Sequence, residues 1–204
     1  MVENKNSAET GIQTASYALR GRSGSLLVVH AFADKAKQEI RDKQQKKAKK
    51  AKEERKPEEE FKAAMILDAD GHECVPVTAI KKALISAATA FDDLTKVGLR
   101  QAIFVAPTHN PASMFVPIQT YDGAFARGTM REDAVTIGNN TRGLTYRPQY
   151  PEWQLQITVE YNPRIVSHEQ LEALLDQAGW GVGICEGRPE KSSALGWGRF
   201  EIVR

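Results

Sequence analysis

The chain has 204 residues, of which 41% are hydrophobic and 26% charged, proportions close to globular averages that exclude a wholly disordered chain and a fibrous repeat. Twenty-eight Lys and Arg against 26 Asp and Glu leave a net charge of +2, and no apolar stretch reaches the ~18–20 residues of a membrane helix. The polar start, Met1-Val2-Glu3-Asn4-Lys5, lacks the apolar stretch of a secretory signal. Cys74 and Cys185 are too few for a disulfide framework or a four-thiolate zinc site. The expectation is a reduced, cytoplasmic protein with no membrane contact, no metal and no cofactor.

In chain order, residues 1–24 are polar with scattered Gly and Ser and read as a flexible leader. A single domain is expected over 25–204. Ser25-Leu26-Leu27-Val28-Val29-His30-Ala31-Phe32 is a short apolar run with the composition of a buried strand. A charged insertion over 34–60 follows, with KAKQEIRDKQQKKAKKAKEERK from Lys35 to Lys56. Its Ala, Lys, Gln and Glu favour helix, it lacks an apolar stripe, and Pro57 should stop it. Phe61–Leu67 and His72–Val75 flank Asp68-Ala69-Asp70-Gly71, which predicts a hairpin turn. Thr78–Ala88 has helical spacing, with Ile80, Leu84 and Ala87 or Ala88 on one face. Gln101–Val105 and Met114–Ile118 read as short strands.

From 119 to 152 the chain shows no sustained periodicity and reads as a long loop, a feature that is usually functional or disordered. Trp153–Tyr161 alternates apolar and polar residues, as a strand with one buried face does. Ser167 with Gln170 forms a capping-box pattern for a helix buried through Leu171, Leu174, Leu175 and Ala178 and ended by Gly179. Val182–Cys185 and Phe200–Val203 complete the set as strands. Without the insertions the order is strand, helix, strand, strand, helix, strand. It predicts an α+β fold of the ferredoxin-like or RNA-recognition-motif type: an antiparallel sheet with two helices on one face, plus the charged helical insertion and long loops.

The candidate chemistry is basic and aromatic. Glycines at 179, 181, 183, 187, 196 and 198 are interleaved with Trp180, Arg188, Lys191, Trp197 and Arg199. Glycine permits close backbone approach to a ligand, cations neutralise phosphates, and indoles stack on bases. Arg127, Arg131, Arg142 and Arg147 punctuate the segment before it. The competing reading places the tryptophans in the core of a glycine-rich hairpin. The histidines at 30, 72, 109 and 168 follow no metal-ligand spacing. His72 and Cys74 alternate on one strand, but a zinc site would need further ligands, such as Cys185. No phosphate loop, nucleophile elbow or paired-carboxylate motif is present. His30 is the one weak catalytic candidate, as a general acid or base in metal-independent RNA cleavage.

At two of these stretches the sequence resembles the RAMP superfamily, whose members form backbone and processing subunits of CRISPR effector complexes. Val75-Pro76-Val77-Thr78-Ala79-Ile80-Lys81-Lys82-Ala83-Leu84-Ile85-Ser86 is similar to that superfamily's I-P-x-S-x-x-G-x-L-R lead into the first helix, and Gly196-Trp197-Gly198-Arg199-Phe200-Glu201-Ile202 to its terminal glycine-rich loop and strand. Lys82 and Ala83 stand where the superfamily often has Gly, and Ser86 where it often has Arg. The chain is shorter than most backbone subunits and looks like a solitary, phage-encoded member. The resemblance implies a modified RNA-recognition-motif fold, binding of single-stranded RNA or DNA, and side-by-side assembly as a homo-oligomer or with related effector subunits. The leading expectation is a non-catalytic single-stranded nucleic-acid-binding protein, with RNA favoured. The alternatives are an interaction module or inhibitor that mimics or docks on an effector subunit, and a metal-independent endoribonuclease acting through His30.

Overall fold

The computed structural model describes residues 11–31, 41, 44–45, 55–137, 141–192 and 195–204, and of residues 136, 137, 141 and 142 the backbone alone. The expected helix over 35–56 therefore lies almost wholly outside the described residues. In chain order the strands are β1 (Gln13–Gly21), β2 (Leu27–Val28), β3 (Cys74–Pro76), β4 (Ile103–Pro107), β5 (Phe115–Pro117), β6 (Thr129–Ile137), β7 (Thr141–Tyr150), β8 (Gln154–Tyr161) and β9 (Phe200–Ile202). The helices are α1 (Pro57–Ala64), α2 (Val77–Ala87), α3 (Lys96–Ala102) and α4 (His168–Gln177).

Period-two alternation builds the main sheet. Tyr17 and Leu19 on β1 and Leu155, Ile157, Val159 and Tyr161 on β8 are buried, while Thr14, Ser16 and Glu160 on the other face are exposed. β1 pairs antiparallel with β8 from Gln13↔Tyr161 to Arg20↔Gln154 and with β9 at Leu19↔Ile202, and β4 lies on the far side of β8. The order β4-β8-β1-β9, with α2 between β1 and β4 and α4 between β8 and β9, is the ferredoxin-like α+β arrangement. Ile80, Leu84, Leu171, Leu174 and Leu175 share one core with the buried sheet residues. The capping box at α4 is complete: the Ser167 hydroxyl accepts from Gln170 N, and the Gln170 side chain accepts from Ser167 N.

Several expectations change. Residues 13–21, assigned to a flexible leader, form the central strand: Ala15, Tyr17 and Leu19 do alternate, but small and polar partners conceal the pattern. Of 25–31, the described part of 25–32, Leu27–Val28 alone is strand, and it pairs with β7 in a second sheet of order β2-β7-β6. Pro57 begins a helix of its own, because at the first helical position its missing N–H costs nothing and Glu58, Glu59 and Glu60 face the positive helix start. The predicted turn at 68–71 is present, closed by Asp68 N to His72 O at 3.0 Å and the Leu67↔Glu73 bridge, but the arm before it is α1. The long loop at 119–152 resolves into the β6–β7 hairpin, paired from Thr129↔Gln149 to Ile137↔Thr141. Its strands are Thr-, Val-, Ile- and Tyr-bearing yet charged on both faces, so no apolar alternation announces them. Val182–Cys185 is not a strand: α4 runs on as a π-helical turn over Ala178–Val182.

A buried carboxylate ties the smaller ribbons together. Glu73, beside β3 and 4% exposed, accepts from Tyr150 Oη and from Gly128 N, both at 2.7 Å. No helix among the described residues is long and apolar enough to cross a membrane.

The Gly21–Trp153 contact offers a sharp test. A Cβ at Gly21 would stand 2.4 Å from Trp153 Nε1, and the indole is fully buried. Gly21→Ala, normally stabilising through the unfolded chain, is expected to destabilise by about 1–3 kcal/mol through overpacking. Urea denaturation checks the sign.

Candidate nucleic-acid interface

The π-helical turn after α4 carries Trp180 outward, and the ring is 57% exposed. Two arginines reach it from different elements. The Arg199 guanidinium lies 4.2 Å from the ring centroid and its Nε donates to Trp180 O at 3.2 Å. Arg22, just beyond β1, lies 5.1 Å from the same ring and 3.7 Å from Glu201. Their backbones are joined by Arg22 N to Arg199 O at 3.0 Å. Next to them Arg20 sits 4.8 Å over the Tyr121 ring, and Tyr121 Oη donates to Gly21 O at 3.2 Å. One corner, where β1 meets β9, thus gathers three guanidinium groups and two aromatic rings, with Glu201 beside Arg22 and Glu152 near Tyr121. Trp180 and Arg199 are foreseen from sequence. Arg20 and Arg22 are not, since the segment holding them reads as a leader.

The close approach that sets this corner needs glycine. Gly198 has φ 66°, and a Cβ there would lie 1.9 Å from Ile184 O, where Ile184 N already donates to Gly198 O at 3.0 Å. Both conformation and space exclude a side chain.

The remaining candidate residues go elsewhere. Arg147 is 8% exposed and pairs with Asp133 at 2.8 Å and Glu186 at 3.5 Å. Arg131 pairs with the same Asp133 at 2.8 Å and lies 4.5 Å over the ring of Trp197. Trp197 itself is 9% exposed, pressed against the Cα of Gly187. These three are corrected from candidate ligand contacts to a neutralised, packed cluster at the base of the hairpin: a guanidinium taken from water must be paired, and a covered indole offers no stacking face. Arg127 is exposed, 3.5 Å from Glu73. Arg142 lies on β7, and its side chain is outside the described residues. Arg188 and Lys191 line a separate cleft of about 500 Å³ against α2 and α3.

His30 is exposed just past β2, and among the described residues no charged or hydrogen-bonding side chain meets it. Asp68, Asp70 and His72 bring one ligand atom each within 4.8 Å of one another. This trio is missed from sequence, and it is the set able to hold a metal among the described residues. Its groups are already engaged: Asp68 Oδ1 accepts from Asp70 N at 3.0 Å and His72 N at 2.8 Å, and Oδ2 meets His72 Nδ1 at 3.1 Å. Burial raises the Asp68 carboxyl, but these His72 and Asp70 contacts outweigh it and leave it below the usual carboxylate range. Cys74 does not join them: its Sγ points back to His72 O at 3.2 Å.

The open face of the main sheet is polar. Ser16 Oγ and Thr158 Oγ1 are 2.9 Å apart, and Thr158 donates to Thr108 Oγ1 at 3.1 Å. Phe104 is the exposed aromatic on that face, 4.2 Å from Lys81 Nζ. Phe104 lies at the β4 edge of the sheet, and the larger aromatic surface is the Trp180 corner.

No family model matches the sequence, and no curated protein does. Among solved structures the chain is similar to a chain in the cryo-EM structure of the Type III-B Cmr-beta complex bound to cognate target RNA, at 11% identity and a TM-score of 0.49, covering 95% of this chain and 59% of that one. It spans, then, less than two thirds of that chain's length. It is also similar to Cmr6 from Pyrococcus furiosus, at 11% identity and a TM-score of 0.42, over 96% of this chain and 100% of that one.

Burial pushes the thiols of Cys74 and Cys185 up to about 12, so almost no thiolate exists near neutrality. Both are expected to resist iodoacetamide at pH 8 in the folded protein and to react promptly once it is unfolded in urea. Mass spectrometry of the alkylated chain measures this.

Proposed function

We propose that this protein binds single-stranded nucleic acid, RNA before DNA, without cleaving it. The observation that carries the reading is the half-exposed Trp180 ring set between Arg22 and Arg199, with Arg20 and Tyr121 alongside. A base stacks on an indole whatever its identity, and flanking guanidinium groups neutralise the phosphates on either side. Arg199 serves both roles, since its stack on Trp180 is exchangeable for a base while its charge stays beside the backbone. The hydroxyls of Ser16 and Thr158 and the amide of Gln156 on the open sheet supply partners for a 2′-hydroxyl, which is the physical reason to favour RNA. Arg127, at 71% side-chain exposure, extends the basic surface.

Fluorescence anisotropy with short RNA and DNA strands tests the reading. Micromolar or tighter binding, with log affinity falling linearly in log salt, is expected. Trp180→Ala should weaken it by about 1–3 kcal/mol, roughly five- to hundredfold, as loss of a stacking ring does. Arg22→Ala and Arg199→Ala should each reduce the salt slope by about one phosphate. Absence of binding to either polymer at low salt would falsify the proposal.

A second reading concerns assembly with further copies of this chain. β6 forms the outer edge of its sheet, and the same hairpin face exposes Met130 and Leu144. Unpaired edge groups and apolar side chains together suit docking of a neighbour. Copies strung along one strand would gain apparent affinity by linkage alone. Light scattering with and without single-stranded RNA is expected to show mass rising with protein concentration or with RNA. A monomeric mass throughout rejects assembly and leaves the binding claim standing.

A further inference from the structure

The polar face of α2 has a pattern that the single-strand reading does not use. Val77, Ile80, Ala83, Leu84 and Ala87 of that helix are buried. The intervening positions, Thr78, Lys81, Lys82, Ile85 and Ser86, recur at three- and four-residue spacing and line a cleft of about 500 Å³. Its other walls are Lys96 and Arg100, one turn apart on α3, and the 188–191 segment with Arg188, Glu190 and Lys191. Six cations therefore converge on one concavity that holds a single carboxylate.

That carboxylate is already committed. Glu190 meets Arg188 Nε at 3.2 Å, and the Ser86 hydroxyl, with Arg188 and Lys191, holds it below the usual carboxylate range. Lys81 has the Phe104 ring as its partner. Among the described residues, Lys82, Lys96 and Arg100 have no ion-pair partner at all. Like charges one helical turn apart, as at Lys96 and Arg100, oppose folding, and gathering more of them in a concave site compounds the repulsion. Packing does not demand this: Lys82, Lys96 and Arg100 are solvent-exposed helix positions that any polar residue would satisfy. Such an arrangement acquires a favourable energy when a dense anion fills it.

We infer that this cleft is a binding site for a chain of two or more linked phosphates. A single phosphodiester carries one charge, and its neighbours along an extended strand lie outside so compact a space. Linked phosphates concentrate several charges within it, and the volume lies in the range of small-ligand sites. The source is an inorganic oligophosphate, a nucleoside polyphosphate or the 5′ end of a triphosphorylated RNA. The site shares no residue with the Trp180 corner and stands independently of it.

Isothermal titration of the full chain with inorganic triphosphate, against inorganic monophosphate at matched ionic strength, tests this. Triphosphate should bind at least about tenfold more tightly than monophosphate, as clustered charge-assisted hydrogen bonds predict. The double variant Lys82→Glu and Arg100→Glu, at exposed positions, should abolish that preference, while Trp180→Ala should leave it intact. Should the double variant misfold, Lys96→Glu alone is expected to weaken triphosphate binding measurably. A nucleoside triphosphate, a 5′-triphosphorylated short RNA and the same RNA with a 5′-hydroxyl then identify the source. Equal affinity for monophosphate and triphosphate, or a preference that survives the charge reversals, overturns the proposal.

Discussion

Segment 21–28 is threaded between the Trp153 indole and the C-terminal glycine loop, and the placement of the Trp180 corner depends on that threading. Gly21 N donates to Trp153 O and Trp153 Nε1 to Ser25 O, each at 2.9 Å. Ser25 Oγ then donates to Gly196 O at 3.1 Å and accepts from Arg199 N at 2.8 Å. Gly198 N to Leu26 O at 2.7 Å and Glu186 N to Val28 O at 3.1 Å continue the seam. Buried polar groups must be satisfied, and here each partner belongs to a segment distant in sequence. The seam delivers Arg22 and Arg199, far apart in the chain, to the same ring.

The same economy of pairing sorts the basic residues into three kinds. Arg131 and Arg147 share Asp133 and act as a buried strut under Trp197, where an unpaired guanidinium would be costly. Arg20, Arg22 and Arg199 lie against aromatic faces, a partnership weak enough to be exchanged for a ligand. Lys82, Lys96 and Arg100 face a cleft with no counter-charge of their own. A net charge of +2 describes none of these environments. What separates the structural Arg147 from Arg22, which also has a carboxylate nearby, is burial between two carboxylates.

Legibility in the sequence followed the strength of the local signal. α4 could be read almost to the residue, because Ser167 and Gln170 form a capping box and Leu171, Leu174 and Leu175 keep a strict helical stripe. β8 was equally plain, with Leu155, Ile157 and Val159 alternating against Gln and Thr. β1 was not: only Ala15, Tyr17 and Leu19 mark its inner face, and two of its inner positions are occupied by Gln13 and Gly21. The hairpin of β6 and β7 escaped because, among its described residues, Tyr150 alone joins the main core. The site was half legible. Trp180 and Arg199 stood out among glycines, whereas Arg20 and Arg22 lay within and just past a strand that had no visible strand signal.

The sequence by itself determined the class of fold and motivated the chemistry proposed for it. Hydrophobic periodicity and capping are local properties, so two helices, the alternating β8 strand and the closing β9 strand followed from spacing alone, and a chain without metal-ligand spacing but rich in Arg, Trp and Gly pointed to phosphate and base contacts. Tertiary structure alone decided which cations are available. Burial and ion pairing are set by residues that meet across the fold, as Arg147 meets Asp133 and Glu186 and as Arg188 and Lys191 meet the lysine face of α2. Charge neutralisation falls off within a few ångströms, and no spacing along the chain encodes which side chains come that close.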